Sequence, residues 1–142
     1  MTAPHLFPVR VYWEDTDGSG IVYHASYLRF AERARTELLR AAGFEQWSML
    51  EQTGIAFAVR HCAIDFRRSA RLDDQLVVET RVTAIGGASL EMSQAIRRGG
   101  DDIVTLLLKL ACITRDGRAA RMPPALRDVF NMVKGQTASH AA

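Results

Sequence analysis

At 142 residues the chain is long enough to form one domain with a substantial core. Apolar residues make up 48% and charged residues 24%, the balance of an ordinary globular protein. No apolar run approaches the ~18–20 residues that cross a bilayer, and a formal net charge of +2 does not indicate a nucleic-acid partner.

The N-terminus and the two cysteines fit a cytoplasmic protein. Residues 1–8 contain no basic segment followed by an apolar stretch, so no signal peptide is predicted. Cys62 and Cys112 lie in apolar, strand-like segments, and we expect them to be reduced and buried. Their spacing matches no zinc-binding pattern.

The first part of the chain predicts one short strand and one long helix. Alternation of Val9, Val11 and Trp13 with other residues predicts a strand over residues 7–13. Residues 24–42 carry an apolar stripe at helical spacing and are followed by glycine, which suits a helix end. At roughly 1.5 Å per residue this helix would be about 30 Å long, enough for a sheet to wrap around it.

Charged residues on this helix are spaced to form ion pairs. Glu32 and Arg35 have opposite signs and are three residues apart, as are Glu37 and Arg40, so each pair is expected to meet on the helix surface. Residues 44–54 then predict a shorter helical or irregular connection.

The second part predicts four strands and a short helix. The strand patterns cover residues 55–66, 76–84, 90–97 and 103–114. In the first of them Phe57, Val59 and His61 share an apolar face, so His61 is interpreted as a structural histidine. The last is almost continuously apolar, which predicts burial on both faces, in the centre of the sheet or at a subunit interface. A proline pair at 123–124 opens the short helix.

This order predicts an α+β fold, with one curved antiparallel sheet packed on one main helix. We expect a single domain over residues 1–134 and a flexible tail over residues 135–142. The helix can cover only one face of the sheet, and sheet edges need partners, so we expect a dimer that extends the sheet.

Residues 12–30 hold the candidate functional groups. Three acids, two glycines and a histidine come just before or at the start of the predicted helix: Glu14, Asp15, Asp17, Gly18, Gly20 and His24. A carboxylate here can act as nucleophile or base, and unpaired N–H groups at a helix start favour an anion. From the residues alone, Asp17 could also be a turn or capping aspartate. The acids with His24 could instead hold magnesium or manganese.

Most of the chain resembles the hotdog-fold acyl-CoA thioesterases. The resemblance covers about residues 7–130 and is carried by Val9-Arg-Val-Tyr-Trp-Glu-Asp-Thr-Asp-Gly-Ser-Gly-Ile-Val-Tyr-His-Ala-Ser-Tyr27, continued by Glu32-Arg-Ala-Arg-Thr-Glu37. Within the family the chain is similar to the branch associated with the bacterial Tol-Pal cell-envelope system, which Ala70-Arg-Leu-Asp-Asp74 also matches. It is more distantly similar to the 4-hydroxybenzoyl-CoA thioesterases.

The resemblance implies a five-stranded sheet around a central helix and an enzyme that hydrolyses acyl-CoA thioesters. It implies no metal and no cofactor, since coenzyme A is part of the substrate. The family's catalytic aspartate falls on Asp17, and an active-site histidine of the Tol-Pal branch falls on His24. Gly18 and Gly20 would let the backbone approach the substrate, while Glu14 and Asp15 would support the loop.

The same resemblance implies further contacts with the substrate. Backbone N–H groups at the helix start would polarise the thioester carbonyl, and they belong to Tyr23, His24 and Ala25. Candidate walls of the pocket are Trp13 and Tyr27. Candidate contacts to the coenzyme A phosphates are Arg60, Arg67, Arg68 and Arg71, although the basic run over residues 67–71 also reads as a solvated turn.

Two positions depart from the family pattern. Trp13 stands where the Tol-Pal branch often has tyrosine, so a hydroxyl at that position is lost here. The turn Gly86-Gly87-Ala88 carries no charge where benzoyl-type relatives have a basic cluster, so their phosphate contacts cannot be transferred.

Other functions of the same fold stay open. One is a non-catalytic module that binds an acyl carrier or a cell-envelope complex, and another is a hotdog dehydratase. The expected partners are an acyl-CoA substrate, further copies of the chain in a homodimer or homotetramer, and an acyl carrier protein. Nucleic acid is not expected.

Overall fold

The computed structural model describes residues 4–138, which form five strands and three α-helices. In chain order these are β1 His5–Arg10, α1 Ser26–Ala41, α2 Gln46–Thr53, β2 Ala56–Phe66, β3 Gln75–Ile85, β4 Ser89–Arg98, β5 Asp101–Ile113 and α3 Pro124–Ala138. The predicted tail is therefore helical over residues 135–138, and residues 139–142 lie outside the described part. None of the helices within residues 4–138 has the length and hydropathy of a membrane span.

The strands form one antiparallel sheet in the order β1-β3-β4-β5-β2. Tight turns at the glycine pairs 86–87 and 99–100 join β3 to β4 and β4 to β5. The chain crosses from β1 to β2 through α1, so β2 takes the far edge beside β5. The predicted α+β architecture, a five-stranded sheet with a long helix packed on it, is confirmed.

Helix α1 buries one face against the sheet. Phe30, Ala31 and Ala34 have no exposed surface, and the two alanines let the helix approach the strands closely. Burial of a side chain as large as Phe30 stabilises the fold by roughly 1.5–3 kcal/mol. The helix is shorter than predicted at both ends, and Leu39 rather than Ala41 completes the buried stripe.

One of the two predicted ion pairs on α1 forms. Arg40 meets Glu37 at 3.3 Å. Glu32 favours the charge of Arg35 electrostatically, but among the described residues the two form no direct ion pair. Arg35 instead turns toward the sheet, where its Nη1 donates to Gln94 Oε1 at 3.0 Å.

Gln94 on β4 is a polar residue inside the core, only 2% exposed. Its amide nitrogen donates to Ala31 O at 2.9 Å and to Thr80 Oγ1 at 3.0 Å, while its oxygen accepts from Arg35. A buried amide is tolerated when its hydrogen bonds are satisfied, and here they join α1, β3 and β4.

Strand β1 ends earlier than predicted because the following residues turn. The Tyr12 N–H donates to Asp15 Oδ2 at 2.8 Å, and Trp13–Asp15 form a short 3-10 turn. Trp13 is therefore outside the strand and exposed.

A bulge in β2 changes which side chains face the core. The register with β5 shifts between Val59 and His61, so Arg60 is the extra residue. Cys62 and Ile64 pack on the core after the bulge, and His61 is exposed. The prediction of His61 on an apolar face is wrong, because period-2 alternation does not continue through a bulge.

Strand β5 lies between β4 and β2, which confirms its predicted central place. Its predicted burial on both faces is wrong within this chain. Leu106 and Leu108 are buried, but Leu107 is 63% exposed on the opposite face. The helices cover only the other side of the sheet at this strand.

Both cysteines are free, as predicted. Cys112 is buried, and burial raises the pKa of its thiol to about 11, so it is protonated at neutral pH. Cys62 is only half-buried.

Candidate active site

Residues 16–22 form a narrow loop that carries Asp17. Thr16 and Val22 form a bridge, and the Asp17 N–H donates to Ile21 O at 3.0 Å. Gly18 and Gly20 have φ angles of 92° and 94°, which side chains rarely adopt. A Cβ at either position would meet nothing within 4 Å in this chain, so the turn itself requires the glycines. Their role in admitting a substrate stays a prediction.

Asp17 presents an exposed carboxylate at the loop. Its Oδ1 accepts hydrogen bonds from Ser19 Oγ and from the Ser19 N–H at 2.9 Å. These bonds hold the pKa of the Asp17 carboxyl below its usual value, so it is ionised at neutral pH. Both Ser19 hydrogen bonds go to Oδ1, which leaves Oδ2 facing outward and available for chemistry.

We expect Ser19→Ala to raise the pKa of the Asp17 carboxyl toward its ordinary value. The Oγ–H, the largest contributor to the lowered pKa, is lost, while the backbone N–H remains. A carboxyl ¹³C NMR titration of both proteins would measure the change. The matched control is Ser69→Ala, an exposed serine in a neighbouring loop, which should leave the Asp17 titration unchanged. An unchanged titration in Ser19→Ala would contradict the assignment.

The start of α1 offers unpaired N–H groups. Tyr23 N–H already donates to Asp15 O at 2.9 Å, so Tyr23 is not available as a predicted oxyanion donor. The N–H groups of His24 and Ala25 meet no acceptor among the described residues. No acidic side chain lies in the first turn and no side chain caps the helix, so its partial positive charge is open to a ligand.

His24 is exposed beside this helix start. Its ring lies 4.5 Å from the Tyr23 ring and 6.2 Å from the Phe66 ring, measured between centroids. Within residues 4–138 its side chain makes no hydrogen bond. The structure therefore brings His24 to the same loop and helix start as Asp17 without a bond between them.

The segment Ala70–Asp74, the second stretch that resembles the family, forms backbone hydrogen bonds with the loop that carries Asp17. Val22 N–H donates to Ala70 O at 2.9 Å, and Leu72 N–H donates to Gly20 O at 2.8 Å. The Tyr27 hydroxyl, which is buried, accepts from the Ala70 N–H at 3.0 Å. Tyr27 thus positions this segment.

Asp74 closes the segment into a turn. Its Oδ2 accepts from the Arg71 N–H at 2.8 Å and from Arg98 Nη1 at 2.7 Å. Partial burial by itself raises the pKa of the Asp74 carboxyl, but the hydrogen bonds and the charge of Arg98 outweigh it, and the pKa lies below its usual value.

We expect the stabilisation that Asp74 provides to be lost in acid. Because its pKa is lower in the folded than in the unfolded chain, its stabilisation is complete above about pH 4 and is lost as the pH falls through the folded value. Asp74→Asn should lower the free energy of unfolding at pH 7 by about 1 kcal/mol, a value reduced for solvent screening, and should flatten its decline in acid.

Urea unfolding from pH 7 down to pH 3 would measure this. Asp73→Asn is the control, because Asp73 is exposed and asparagine tolerates its positive φ of 72°. Parallel pH profiles for wild type and Asp74→Asn would contradict the prediction.

The arginines predicted to contact the coenzyme A phosphates do not all lie near the candidate site. Arg71 pairs with Ile21 in an isolated bridge, and Arg67 and Arg68 directly follow Phe66, the ring next to His24. The Arg67 side chain, however, donates to Thr105 Oγ1 and lies beside Ser93 and Leu107, on the sheet face away from the helices. Arg60, in contrast, lies at the bulge and lines a separate hollow with Lys109.

The acidic residues of the loop and the predicted aromatic residues differ in their exposure to solvent. Asp15 is buried and shapes the turn, as predicted, whereas Glu14 is exposed. Trp13 and Tyr23 are exposed too, so of the two predicted pocket walls only Tyr27 is buried within this chain, and the pocket role of Trp13 stays a prediction. Among residues 4–138 no three acidic, histidine or cysteine side chains converge on a possible metal position.

Sequence reasoning missed the supporting residues of the site. Ser19 follows Asp17 by two residues, the spacing of a turn in which an aspartate accepts from the backbone, so this signal was present. Arg98, which holds Asp74 from β4, could not be found from spacing because it lies in another strand.

Comparison with known proteins agrees with the fold. The chain has the hotdog-type arrangement of solved thioesterases: a probable thioesterase from Bartonella henselae has a TM-score of 0.81 and 41% identity, covering 85% of this chain and 100% of that chain. A DHNA-CoA thioesterase from Staphylococcus aureus has a TM-score of 0.86 at 21% identity, covering 96% and 94%, and supports the fold alone.

Residues 11–130 match the Thioesterase-like superfamily, and the chain belongs to this family. The acyl-CoA thioesterase YbgC of Haemophilus influenzae is 49% identical over 107 residues, which cover 75% of this chain and 79% of that protein. The acyl-CoA thioester hydrolase YbgC of Escherichia coli O157:H7 is 49% identical over 90 residues, 63% of this chain and 66% of that protein. The predicted class, a thioester hydrolase, is confirmed.

Proposed function

We propose that the protein hydrolyses acyl-CoA thioesters, with Asp17 as the catalytic carboxylate and the N–H groups of His24 and Ala25 as oxyanion donors. The observation that carries the proposal is the pairing of two features on one loop. An ionised carboxylate with a free oxygen precedes a helix start whose N–H groups have no acceptor within the described residues. The named substrates of the YbgC relatives supply the substrate class.

In this mechanism the thioester oxygen accepts hydrogen bonds from the helix start, which stabilise the negative charge that develops on it. Asp17 Oδ2 attacks the carbonyl carbon and the C–S bond breaks, giving a mixed anhydride that water hydrolyses; alternatively, Asp17 takes a proton from an attacking water. The lowered pKa keeps Asp17 ionised at neutral pH, as both routes require.

The leaving group needs little help from His24. A thiol has a pKa near ~8.5 and departs readily as thiolate. We therefore propose that His24 contributes its N–H and orients the carboxylate or water. Arg71, which pairs with Ile21 in the Asp17 loop, and Arg68, near the end of β2, would meet the coenzyme A phosphates. Arg67 is a weaker candidate because its side chain lies on the other face of the sheet. Arg60 is left out of this group because of its place at the bulge.

We also propose that two chains associate through β2. It is an edge strand of 11 residues, and Val59 and Phe66 on it are 47% and 50% exposed. The opposite edge, β1, has six residues and contains Pro8, which cannot donate a ladder hydrogen bond. An antiparallel pairing of two β2 strands would join the sheets into one. Sedimentation should give a dimer or a tetramer, and a monomer would exclude this pairing.

Thiol release from a panel of short, long and aromatic acyl-CoAs tests the activity. Turnover of at least one acyl-CoA is expected. Acyl-carrier binding without any turnover would favour the alternative, a non-catalytic binding module on this fold. The cytoplasmic location and the Tol-Pal association stay predictions from the sequence.

A further inference from the structure

The side chain of Asp17 is held in place by one neighbouring residue, Ser19. The backbone of Asp17 is fixed by the loop, because its N–H donates to Ile21 O at 3.0 Å. The carboxylate itself is exposed, and an exposed aspartate side chain samples several rotamers unless a bond selects one. Of the other residues within 4–138, only Ser19 donates to this carboxylate, through its hydroxyl and its N–H, and both bonds end on Oδ1.

Two bonds to the same oxygen give the two carboxylate oxygens different roles. The Ser19 N–H lies 2.9 Å from Oδ1 and closes an aspartate turn, and the hydroxyl adds a second donor to the same oxygen. Rotation about either side-chain bond of Asp17 would weaken both hydrogen bonds at once. Oδ1 is therefore occupied, and Oδ2 is kept in one place.

The reaction with a thioester needs that oxygen in one place. The N–H groups of His24 and Ala25, as oxyanion donors, would set the position of the carbonyl oxygen and with it that of the carbonyl carbon. Attack by Oδ2, or proton transfer to it from a water, requires an approach of about 3 Å in a defined direction. The backbone of the loop is already closed by the bridge between Thr16 and Val22, so the side-chain rotamer of Asp17 is the freedom that remains.

We propose that Ser19 is a positioning residue for the reaction, which holds Asp17 with Oδ2 directed at the thioester carbon or at the attacking water. This inference rests on the proposed thioesterase function and adds one residue to its machinery. Ser19 acts through Asp17 alone: it takes up no proton and forms no covalent bond during the reaction.

The same hydrogen bonds also weaken Asp17 as a nucleophile and as a base. They hold the pKa of its carboxyl below the ordinary value, and a less basic carboxylate reacts more slowly when its position is the same. Loss of the Ser19 hydroxyl would therefore raise kcat if the charge of Asp17 alone mattered. It would lower kcat if the position of Asp17 matters more, so the sign of the change separates the two roles.

Ser19→Ala tests the proposal at pH 7, where Asp17 is ionised with or without the hydroxyl. We expect kcat for the acyl-CoA that wild type hydrolyses fastest to fall by about tenfold or more, with KM within about twofold because the substrate contacts remain. Ser19→Thr restores the hydroxyl at an exposed position and should recover the wild-type values. Ser69→Ala, an exposed serine in a neighbouring loop, should change neither constant.

The acid limb of kcat/KM is a second measurement, which a merely structural role would not move. Activity requires ionised Asp17, so this limb follows its pKa and should lie at higher pH in Ser19→Ala than in wild type. The loss of thioester absorbance between about pH 3 and pH 7 would give the profile, with circular dichroism at each pH to confirm the fold. Both proteins share the other charged or titratable groups around the loop, which are Glu14, Asp15, His24, Arg71, Asp73 and Asp74.

The outcomes separate this inference from the proposed function. An equal or higher kcat in Ser19→Ala, or a Ser19→Thr variant that stays as slow as Ser19→Ala, would overturn the inference while the thioesterase function stands. A fall in kcat that only matches a fall in the folded fraction would overturn it as well. Wild-type protein that turns over none of the acyl-CoAs would overturn the proposed function, and the role of Ser19 with it.

Discussion

Asp17→Asn is expected to lower kcat for acyl-CoA hydrolysis by about a thousandfold or more, with little change in KM. Asparagine keeps the size and the hydrogen bond from the Ser19 N–H but removes the negative charge that attacks the carbonyl or accepts a proton. The helix start would still bind the carbonyl oxygen, so some activity above the uncatalysed reaction should remain.

The control for this variant is Asp128→Asn, an exposed acid on α3, which should retain full activity. Single-turnover hydrolysis in H₂¹⁸O separates the two routes, because only a mixed anhydride on Asp17 leaves label in the protein. Full activity in Asp17→Asn would exclude both routes.

Gln94→Leu is expected to destabilise the fold by about 2–4 kcal/mol. Leucine fits an apolar core, but the change leaves the Ala31 carbonyl, the Thr80 hydroxyl and the Arg35 guanidinium without their shared partner. Buried polar groups that lose a hydrogen bond cost about 1–3 kcal/mol each. Arg35 also lines a small hollow between α1 and the sheet, where water can replace part of its lost hydrogen bonding, so the total cost is lower than the sum.

Urea unfolding measured by circular dichroism would test this. Ser93→Ala provides the matched change on the opposite face of β4, where a half-exposed serine should alter the free energy of unfolding by no more than about 0.5 kcal/mol. Equal midpoints for the two variants would show that the Gln94 hydrogen bonds do not stabilise the core.

Much of the fold follows from local pattern. Strands β3 and β4 alternate apolar and polar residues, and α1 carries an apolar stripe at helical spacing. An element that buries only one face against a core must have such a pattern, so the sequence alone predicts it. The pattern predicts the wrong face where pairing with a neighbouring strand determines which side chains point toward the core. The bulge at Arg60 depends on the register with β5, so the strand pattern alone misplaces His61.

In the candidate site, too, the sequence predicts the residues that are close in the chain and misses the contacts between distant segments. Asp17, His24 and the helix start are close in sequence, so one continuous motif could indicate them. Contacts between distant segments could not be read from it: Tyr27 with Ala70, and Arg98 with Asp74. The misassigned partner of Arg35 has the same cause, since Gln94 competes with Glu32 from a strand that spacing along the helix cannot detect.

The backbone bonds between the Asp17 loop and the segment Ala70–Asp74 have a consequence for motion. Val22 and Leu72 donate N–H groups across this boundary, and Val11 and Asp73 donate N–H groups that join the same segment to the residue after β1. Their amide hydrogens should exchange with solvent as one cooperative unit, because none of these bonds can open far while the others hold. If they do, Asp17, the proposed catalytic carboxylate, is carried by a rigid unit, and a substrate would meet an arrangement already formed.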